Sequence, residues 1–134
     1  MEHGSKIFML CISTWRGIEE RKKTYLREVK GGDNISRRGP ASRQKHNRMV
    51  ARIAEMYRAR GYEVWADIPG YPQRPWSIYG YIPDVIAKKR GHITVIEVET
   101  IDTLYSRHDI QQRNAFKRWA KQKKTRHFRL FVAE

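Results

Sequence analysis

The pattern of apolar and polar positions in the second half of the chain predicts two adjacent strands joined by a tight turn. Two apolar runs rich in β-branched residues cover residues 81–87 and 93–100, and the short polar segment between them contains Arg90 and Gly91. Two such runs separated by a short glycine-containing segment are typical of a β-hairpin. We therefore predict an antiparallel pair of strands with Arg90 and Gly91 at the turn.

This hairpin would bring three carboxylates together. Antiparallel pairing about the turn places Asp84 opposite Glu97, and the alternation of side chains along a strand puts Glu97 and Glu99 on one face. A bound divalent cation is the usual means of keeping such close carboxylates ionised, and an all-oxygen ligand set suits Mg²⁺ or Mn²⁺. The three acids are also consistent with the solvent face of a half-buried sheet. Pro83, which cannot join a strand ladder, favours a distorted strand end beside Asp84.

The rest of the pattern predicts two helices and two more strands around this hairpin. The predicted elements are a helix over 41–60 that ends before Gly61, a strand over 62–68, a stiff aromatic loop over 69–80, a helix over 108–123 and a strand over 127–133. A helix that joins two strands favours a parallel pair with a right-handed crossover. The predicted fold is α/β, with a central mixed β-sheet flanked by helices. Residues 1–40 are interpreted as a basic N-terminal extension holding a strand, a helix and a mobile loop, and residues 41–134 as the core domain.

Two polar side chains fall on the apolar faces of the predicted helices. His46 lies on the apolar stripe of the first helix, and Gln112 lies on the face of the second helix that carries Ala115, Phe116 and Trp119. A single histidine on an apolar face is most often a hydrogen-bonded core residue. Gln112 should lie close to the end of the strand that carries the two glutamates.

Length and composition restrict the class of protein. The 134 residues suffice for one compact domain, and they contain no apolar run of membrane-spanning length. A single cysteine allows no internal disulfide, which favours a reducing, cytoplasmic location. The formal net charge of +14 favours a polyanionic partner, first of all nucleic acid.

The basic residues are unevenly distributed along the chain. Residues 16–60 contain 14 Lys and Arg against 5 acids, and residues 113–129 contain 8 and no acid, whereas residues 63–109 contain 7 acids and 5 bases. An acidic patch between basic flanks suits a site that holds a metal ion and a phosphodiester backbone. The candidate nucleic-acid-binding residues are Arg37, Arg38, Arg43, Lys45, Lys117, Arg118 and Lys121. The aromatic loop could stack on bases or cover a sheet edge.

The order of these elements, with Pro83-Asp84 and then Glu97-Val98-Glu99, resembles the PD-(D/E)xK superfamily of restriction-endonuclease-like nucleases. The resemblance covers about residues 41–133 and implies a restriction-endonuclease-like core. It implies that Asp84 and Glu97 hold Mg²⁺, which activates water for in-line attack on a phosphodiester. His46 then occupies the place of an acidic residue on the first core helix. Gln112, or Gln111 in the alternative register, corresponds to a glutamine on the following helix.

The chain departs from this family at one position, because Glu99 stands where the motif has its lysine. That lysine helps to orient or deprotonate the attacking water and neutralises charge at the phosphate. Glu99 could complete a two-metal site as a third ligand. A lysine from elsewhere, Lys88, Lys117 or Lys121, could replace the missing cation. The third interpretation is a degenerate site that binds without catalysis.

Three functions are therefore under consideration. The first is a metal-dependent DNA nuclease with Asp84, Glu97, Glu99, His46 and Gln112 as its site. A homodimer acting on branched or flapped DNA would suit so small a chain. The alternative is a catalytically inactive nucleic-acid-binding protein with the same fold. The third is a basic accessory subunit with an acidic protein partner.

Overall fold

The computed structural model describes residues 39–133, so the predicted strand and helix of the N-terminal extension, with Arg37 and Arg38, lie outside the described residues. The elements in chain order are α1 (Pro40–Ala59), β1 (Glu63–Ala66), β2 (Val85–Lys89), β3 (His92–Thr100), α2 (Arg107–Lys121) and β4 (Arg126–Ala133). Their order is the one predicted, with boundaries that differ by a few residues.

The strands form a sheet of four in the order β1-β2-β3-β4. β1 and β2, and β2 and β3, pair antiparallel, whereas β3 and β4 pair parallel through the connection that contains α2. The prediction of an α/β fold with a mixed sheet flanked by helices is confirmed.

The β2–β3 turn has the predicted location. Lys89 pairs with His92, which leaves Arg90 and Gly91 as a two-residue loop. Both have positive φ, 51° at Arg90 and 79° at Gly91. Positive φ at both central residues matches the right-handed twist of the flanking strands, and Gly91 adopts it at little steric cost. The turn fixes the register of the whole hairpin.

The two helices cover opposite faces of the sheet. Successive strand residues point to opposite sides, so each helix packs onto every second residue of the strands. α1 packs through residues such as Ile53 onto one set of strand side chains: Val85, Ala87, Ile96, Val98 and Phe131. α2 packs through Phe116 and Trp119 onto the alternate set: Ile86, Val95 and Phe128. Odd-numbered positions of β3 therefore face α2, and even-numbered positions face α1.

The first strand of the hairpin is shorter than predicted. It begins at Val85, whereas the apolar run begins at Tyr81, which instead forms an isolated bridge with Ile78. Pro83 explains the difference because it has no N–H to donate to the ladder. Asp84 consequently lies just outside β2, next to its first paired residue.

Of the described helices, neither is long and apolar enough to cross a membrane.

Candidate functional site

Asp84 and Glu97 lie side by side at the open end of the hairpin. Val85 pairs with Ile96, so the next facing positions are Asp84 and Glu97, as the sequence predicts. The backbone N–H of Asp84 donates to Glu97 Oε1 at 3.0 Å. In return, the backbone N–H of Val98 donates to Asp84 Oδ2 at 2.8 Å. Both carboxylates are thus held by main-chain donors of the hairpin.

One side chain from each helix reaches this pair. On α1, the buried His46 places its Nε2 3.1 Å from Asp84 Oδ1, and its Nδ1 is 3.1 Å from Asn47 Oδ1. On α2, Gln112 Nε2 donates to Glu97 Oε2 and to the carbonyl oxygen of Ile82, each at 3.3 Å. Four of the predicted site residues therefore form one connected group.

The surroundings of Glu97 disfavour its ionised form. Its side chain is buried, and its pKa is raised well above the usual value, first by burial and then by the charges of Asp84 and Glu99. The hydrogen bond from the backbone N–H of Asp84 acts in the opposite direction but does not offset these effects. A cation at this position would favour the ionised carboxylates.

Glu99 has different partners from the pair. Although it shares a face of β3 with Glu97, its Oε2 accepts a hydrogen bond from Thr103 Oγ1 at 2.7 Å. Its Oε1 is 3.7 Å from Nη1 of Arg113, and both side chains are only 1% exposed. Burial, followed by the charge of Asp109, raises the pKa of Glu99 to about 7, against the lowering effects of Thr103 and Arg113.

Arg113 is a residue that the sequence analysis did not single out. It is among the largest fully buried side chains of the described region, and its Nη2 donates to the carbonyl oxygen of Leu104 at 2.6 Å. The available signal was its spacing, since it lies three residues before the buried Phe116 and therefore near the apolar face of α2. A buried arginine requires a counter-charge, and Glu99 supplies it.

The donor set fits a hard divalent cation held by few protein ligands. Within residues 39–133, no three His, Cys, Asp or Glu side chains are arranged closely enough to form a metal cluster. Mg²⁺ is commonly held by one or two carboxylates, with water and substrate phosphate oxygens completing its shell. Asp84 and Glu97 supply two carboxylates of this kind, because an oxygen that accepts one hydrogen bond retains a second lone pair.

Two of the three lysines considered as substitutes for the motif lysine are exposed. Lys88 is exposed near the turn, and Lys121 is exposed in the last turn of α2. Lys117 lies one turn beyond Arg113 and is half-buried. Its pKa is lowered to about 8 by burial, then by Arg113 and Lys121.

The candidate phosphate-binding residues lie on both helices. Arg43 and Lys45 belong to the first turns of α1, at the same end as His46. Lys117, Arg118 and Lys121 belong to the second half of α2, and the Arg118 guanidinium lies 5.5 Å from the ring centre of Tyr79.

The aromatic loop between β1 and β2 is both packed and exposed. Trp76 meets Trp65 of β1 edge-on, with ring centres 5.0 Å apart. Trp76 nevertheless remains 40% exposed and Tyr79 50% exposed. The loop thus covers part of the sheet and still presents aromatic surface to solvent.

A scan against models of known protein families finds no match to this chain, and a search of curated proteins finds no relative. The fold and the arrangement of the site therefore carry the functional argument.

Proposed function

We propose that this chain is a metal-dependent nuclease that hydrolyses DNA phosphodiester bonds, built on a restriction-endonuclease-like core. The observation that carries the proposal is the pair Asp84 and Glu97, fixed by backbone donors at the end of a hairpin and contacted by His46 and Gln112. This acidic pair lies in a chain with a formal charge of +14. The element order and the parallel β3–β4 pair also agree with that core.

Each residue of the group has a distinct role in the proposal. Asp84 and Glu97 hold Mg²⁺ or Mn²⁺. His46 fixes the orientation of the Asp84 carboxylate from one side of the sheet, and Gln112 fixes that of Glu97 from the other. A bound divalent cation activates water and neutralises charge developing on the phosphoryl oxygens. Arg43 and Lys45 contact the phosphodiester backbone at the same end of the molecule.

The proposed substrate class is branched or flapped DNA, bound by a homodimer. A single chain of 134 residues has little surface with which to enclose a duplex, and a second copy would supply another site. Two copies related by symmetry would suit a junction with two equivalent strands.

The central experiment measures cleavage of labelled duplex, single-stranded, flapped and branched DNA with Mg²⁺, Mn²⁺ or EDTA. Asp84→Asn removes the charge of a cation ligand while keeping the side-chain shape. We expect cleavage that requires metal and falls by about a thousandfold or more in this variant, because the metal-dependent step is lost.

Asp67→Asn is the matched control. Asp67 directly follows β1 and its backbone N–H donates to the carbonyl oxygen of Asp84, but its carboxylate is turned to Arg74 on the surface, with Oδ1 3.6 Å from Nη2. We expect this variant to cleave at the rate of the unaltered chain. Equal activity in Asp84→Asn and Asp67→Asn would show that Asp84 is not a metal ligand and would contradict the proposal.

A second candidate function is nucleic-acid binding without hydrolysis. The observation that favours it is Glu99, which stands at the motif lysine position and is bound to Thr103 and Arg113 inside the protein. This function predicts DNA binding that weakens with salt, together with intact DNA in every metal condition.

A further inference from the structure

A cavity of about 420 Å³ lies at the end of the molecule opposite the carboxylate pair. The last turn of α1 and the residues after it form one side of it, and residues of β3 and β4 form the other. Its lining residues are Met56, Tyr57, Arg60, Tyr62, His92, Thr94, His127, Arg129 and Phe131. Because even-numbered positions of β3 face α1, the cavity and Glu97 lie on opposite faces of the sheet.

The cavity exists because α1 ends before the sheet does. Ala59 is the last helical residue, and Gly61, with φ of 87°, turns the chain away toward β1. The sheet positions left uncovered beyond this point are polar. They alternate in the strands with core residues and project toward the vacated space: His92 and Thr94 from β3, and His127 and Arg129 from β4.

The chemistry of this lining is cationic. Arg60 and Arg129 place two guanidinium groups at the cavity, and none of the described residues that line it is Asp or Glu. Lys89 adds a further positive charge beside the cavity wall, with its Nζ 5.2 Å from the ring centre of Tyr62. Guanidinium groups bind phosphate oxygens through paired, charge-assisted hydrogen bonds.

A histidine pair fixes one wall of the cavity. His92 Nδ1 and His127 Nε2 are 2.9 Å apart, and the two ring planes differ by only 16°. This contact uses one nitrogen of each ring. Each imidazole therefore has a second nitrogen whose position is set by the pairing; with neutral rings, one of these two nitrogens carries an N–H that can donate and the other accepts.

The lining contributed by α1, together with Phe131 of β4, is apolar. Met56, Tyr57 and Phe131 supply aliphatic and aromatic surface, and Tyr57 meets Tyr62 edge-on with ring centres 5.0 Å apart. The volume exceeds that of an inorganic phosphate several-fold and is in the range of small-molecule sites. A ligand that combines an anionic group with a flat apolar group would complement both walls.

We propose that this cavity binds a phosphate-bearing nucleotide, either free or as the phosphorylated end of a polynucleotide. The phosphate contacts Arg60, Arg129 and the one second nitrogen of the histidine pair that carries an N–H, and the sugar or base contacts Tyr57 and Phe131. This site is separate from Asp84 and Glu97 and does not depend on hydrolysis.

The test measures binding by calorimetry to the full chain in EDTA, so that a metal at the carboxylate pair contributes nothing. The probes are inorganic phosphate, adenosine 5′-monophosphate, and one short oligonucleotide with either a 5′-phosphate or a 5′-hydroxyl. We expect saturable binding of the monophosphate, or tighter binding of the 5′-phosphorylated oligonucleotide than of its 5′-hydroxyl form. The first result identifies a free nucleotide as ligand and the second a polynucleotide end.

The decisive variant combines Arg60→Gln and Arg129→Gln, both at exposed positions, so folding should be retained. We expect it to weaken phosphate-dependent binding by about tenfold or more, since charge-assisted hydrogen bonds are lost. Arg52→Gln with Arg48→Gln makes the same charge change on the exposed face of α1 and should leave that binding unchanged within about twofold.

Equally weakened binding in both double variants would show that the effect comes from net charge alone, and it would overturn the proposal. So would the absence of saturable binding of both the monophosphate and the phosphorylated oligonucleotide. Either result leaves the proposed nuclease function unaffected, because that function is tested at Asp84.

Discussion

The guanidinium of Arg113 and the carboxylate of Glu99 lie 3.7 Å apart, and neither is more than 1% exposed. Removing one partner of a buried pair leaves the other charge without compensation, which costs about 3–5 kcal/mol. We predict that Arg113→Met destabilises the protein by about this amount near pH 8, where Glu99 is ionised. At about pH 5 the loss of stability should be smaller, because Glu99, whose pKa is about 7, is then protonated.

Urea denaturation of both proteins at the two pH values measures this difference. Adding Glu99→Gln to Arg113→Met should recover part of the stability lost near neutral pH, because no buried carboxylate remains unpaired. An equal loss at both pH values would show that the pair is not electrostatically coupled.

The raised pKa values of Glu97 and Glu99 have a second consequence, which links stability to metal. The folded state holds these protons more tightly than the unfolded chain. The contribution of Glu99 to the free energy of unfolding therefore falls as pH rises from 4.5, the usual pKa of a glutamate, to about 7, its pKa in the folded protein. Mg²⁺ should offset the corresponding fall at Glu97 by favouring the ionised carboxylates of Asp84 and Glu97.

We predict that excess MgCl₂, relative to EDTA, raises the stability near pH 8 by about 2–3 kcal/mol if the metal is present at about a hundred times its Kd. Near pH 5 the gain should be small because protons compete for the same oxygens. Thermal unfolding of the unaltered chain and of Asp84→Asn provides the comparison. A gain that persists undiminished in Asp84→Asn would place the metal elsewhere.

At the residue scale, the sequence was informative where the backbone determines the outcome. A two-residue turn fixes which strand residues face each other, so the contact between Asp84 and Glu97 followed from the position of Arg90 and Gly91. The partners of Glu99 did not follow. They depend on how α2 and residues 103–104 pack onto the sheet, which strand periodicity does not describe.

At the scale of elements, the hairpin turn carries a measurable strain. Arg90 has a φ of 51°, a conformation that most side chains adopt at a cost and that asparagine tolerates better. We predict that Arg90→Asn stabilises the protein by about 0.5–1 kcal/mol. Arg90→Gln removes the same charge without this backbone preference and should show no such gain in urea denaturation. A gain of equal size in both variants would assign the effect to charge.

Helices and strands were predicted well because each has a long periodic pattern. The exception was the first strand of the hairpin, where an apolar run starting at Tyr81 suggested pairing that begins only at Val85. In the unpaired part of this run Pro83 is buried, Tyr81 is half-buried and Ile82 is 51% exposed, so its apolar character indicates neither pairing nor uniform burial. Burial and ladder pairing diverge wherever proline removes a donor.

At the scale of the whole molecule, both helices run opposite to β3. His46, near the start of α1, and Gln112, early in α2, both contact the carboxylate pair, whereas the last turn of α1 reaches the cavity at His92. The positive ends of both helix dipoles therefore lie near Asp84 and Glu97. This arrangement favours an anionic substrate at that end, in addition to the net charge.

The basic second half of α2 allows a test of whether DNA phosphates contact this helix. Each phosphate contact contributes about 0.9 to the slope of log K against log salt for duplex DNA. We predict that replacing Lys117, Arg118 and Lys121 with Gln lowers that slope by about 2–3. Fluorescence anisotropy over a salt series measures it.

The matched control replaces the exposed Arg48, Arg52 and Arg58 of α1 with Gln. It changes the net charge equally and should lower the slope by less than one contact, about 0.9. An equal decrease in both triple variants would mean that DNA contacts the molecule without preference for α2.

The net charge follows from composition alone, whereas the cavity could not be predicted from the sequence. It arises from the relative lengths of α1 and the sheet, together with the register of β4 against β3, which brings His127 beside His92. Their positions in the sequence are 35 residues apart. No local pattern relates them.

The pairing of Glu99 with Arg113 also restricts how this chain can diverge. Introducing lysine at position 99 by a single substitution would place a second cation against a buried arginine, in surroundings with little water to screen them. The opposite single step, loss of Arg113, leaves a buried carboxylate alone. Substitutions at positions 99 and 113 are therefore coupled, and a change at either one alone is harmful.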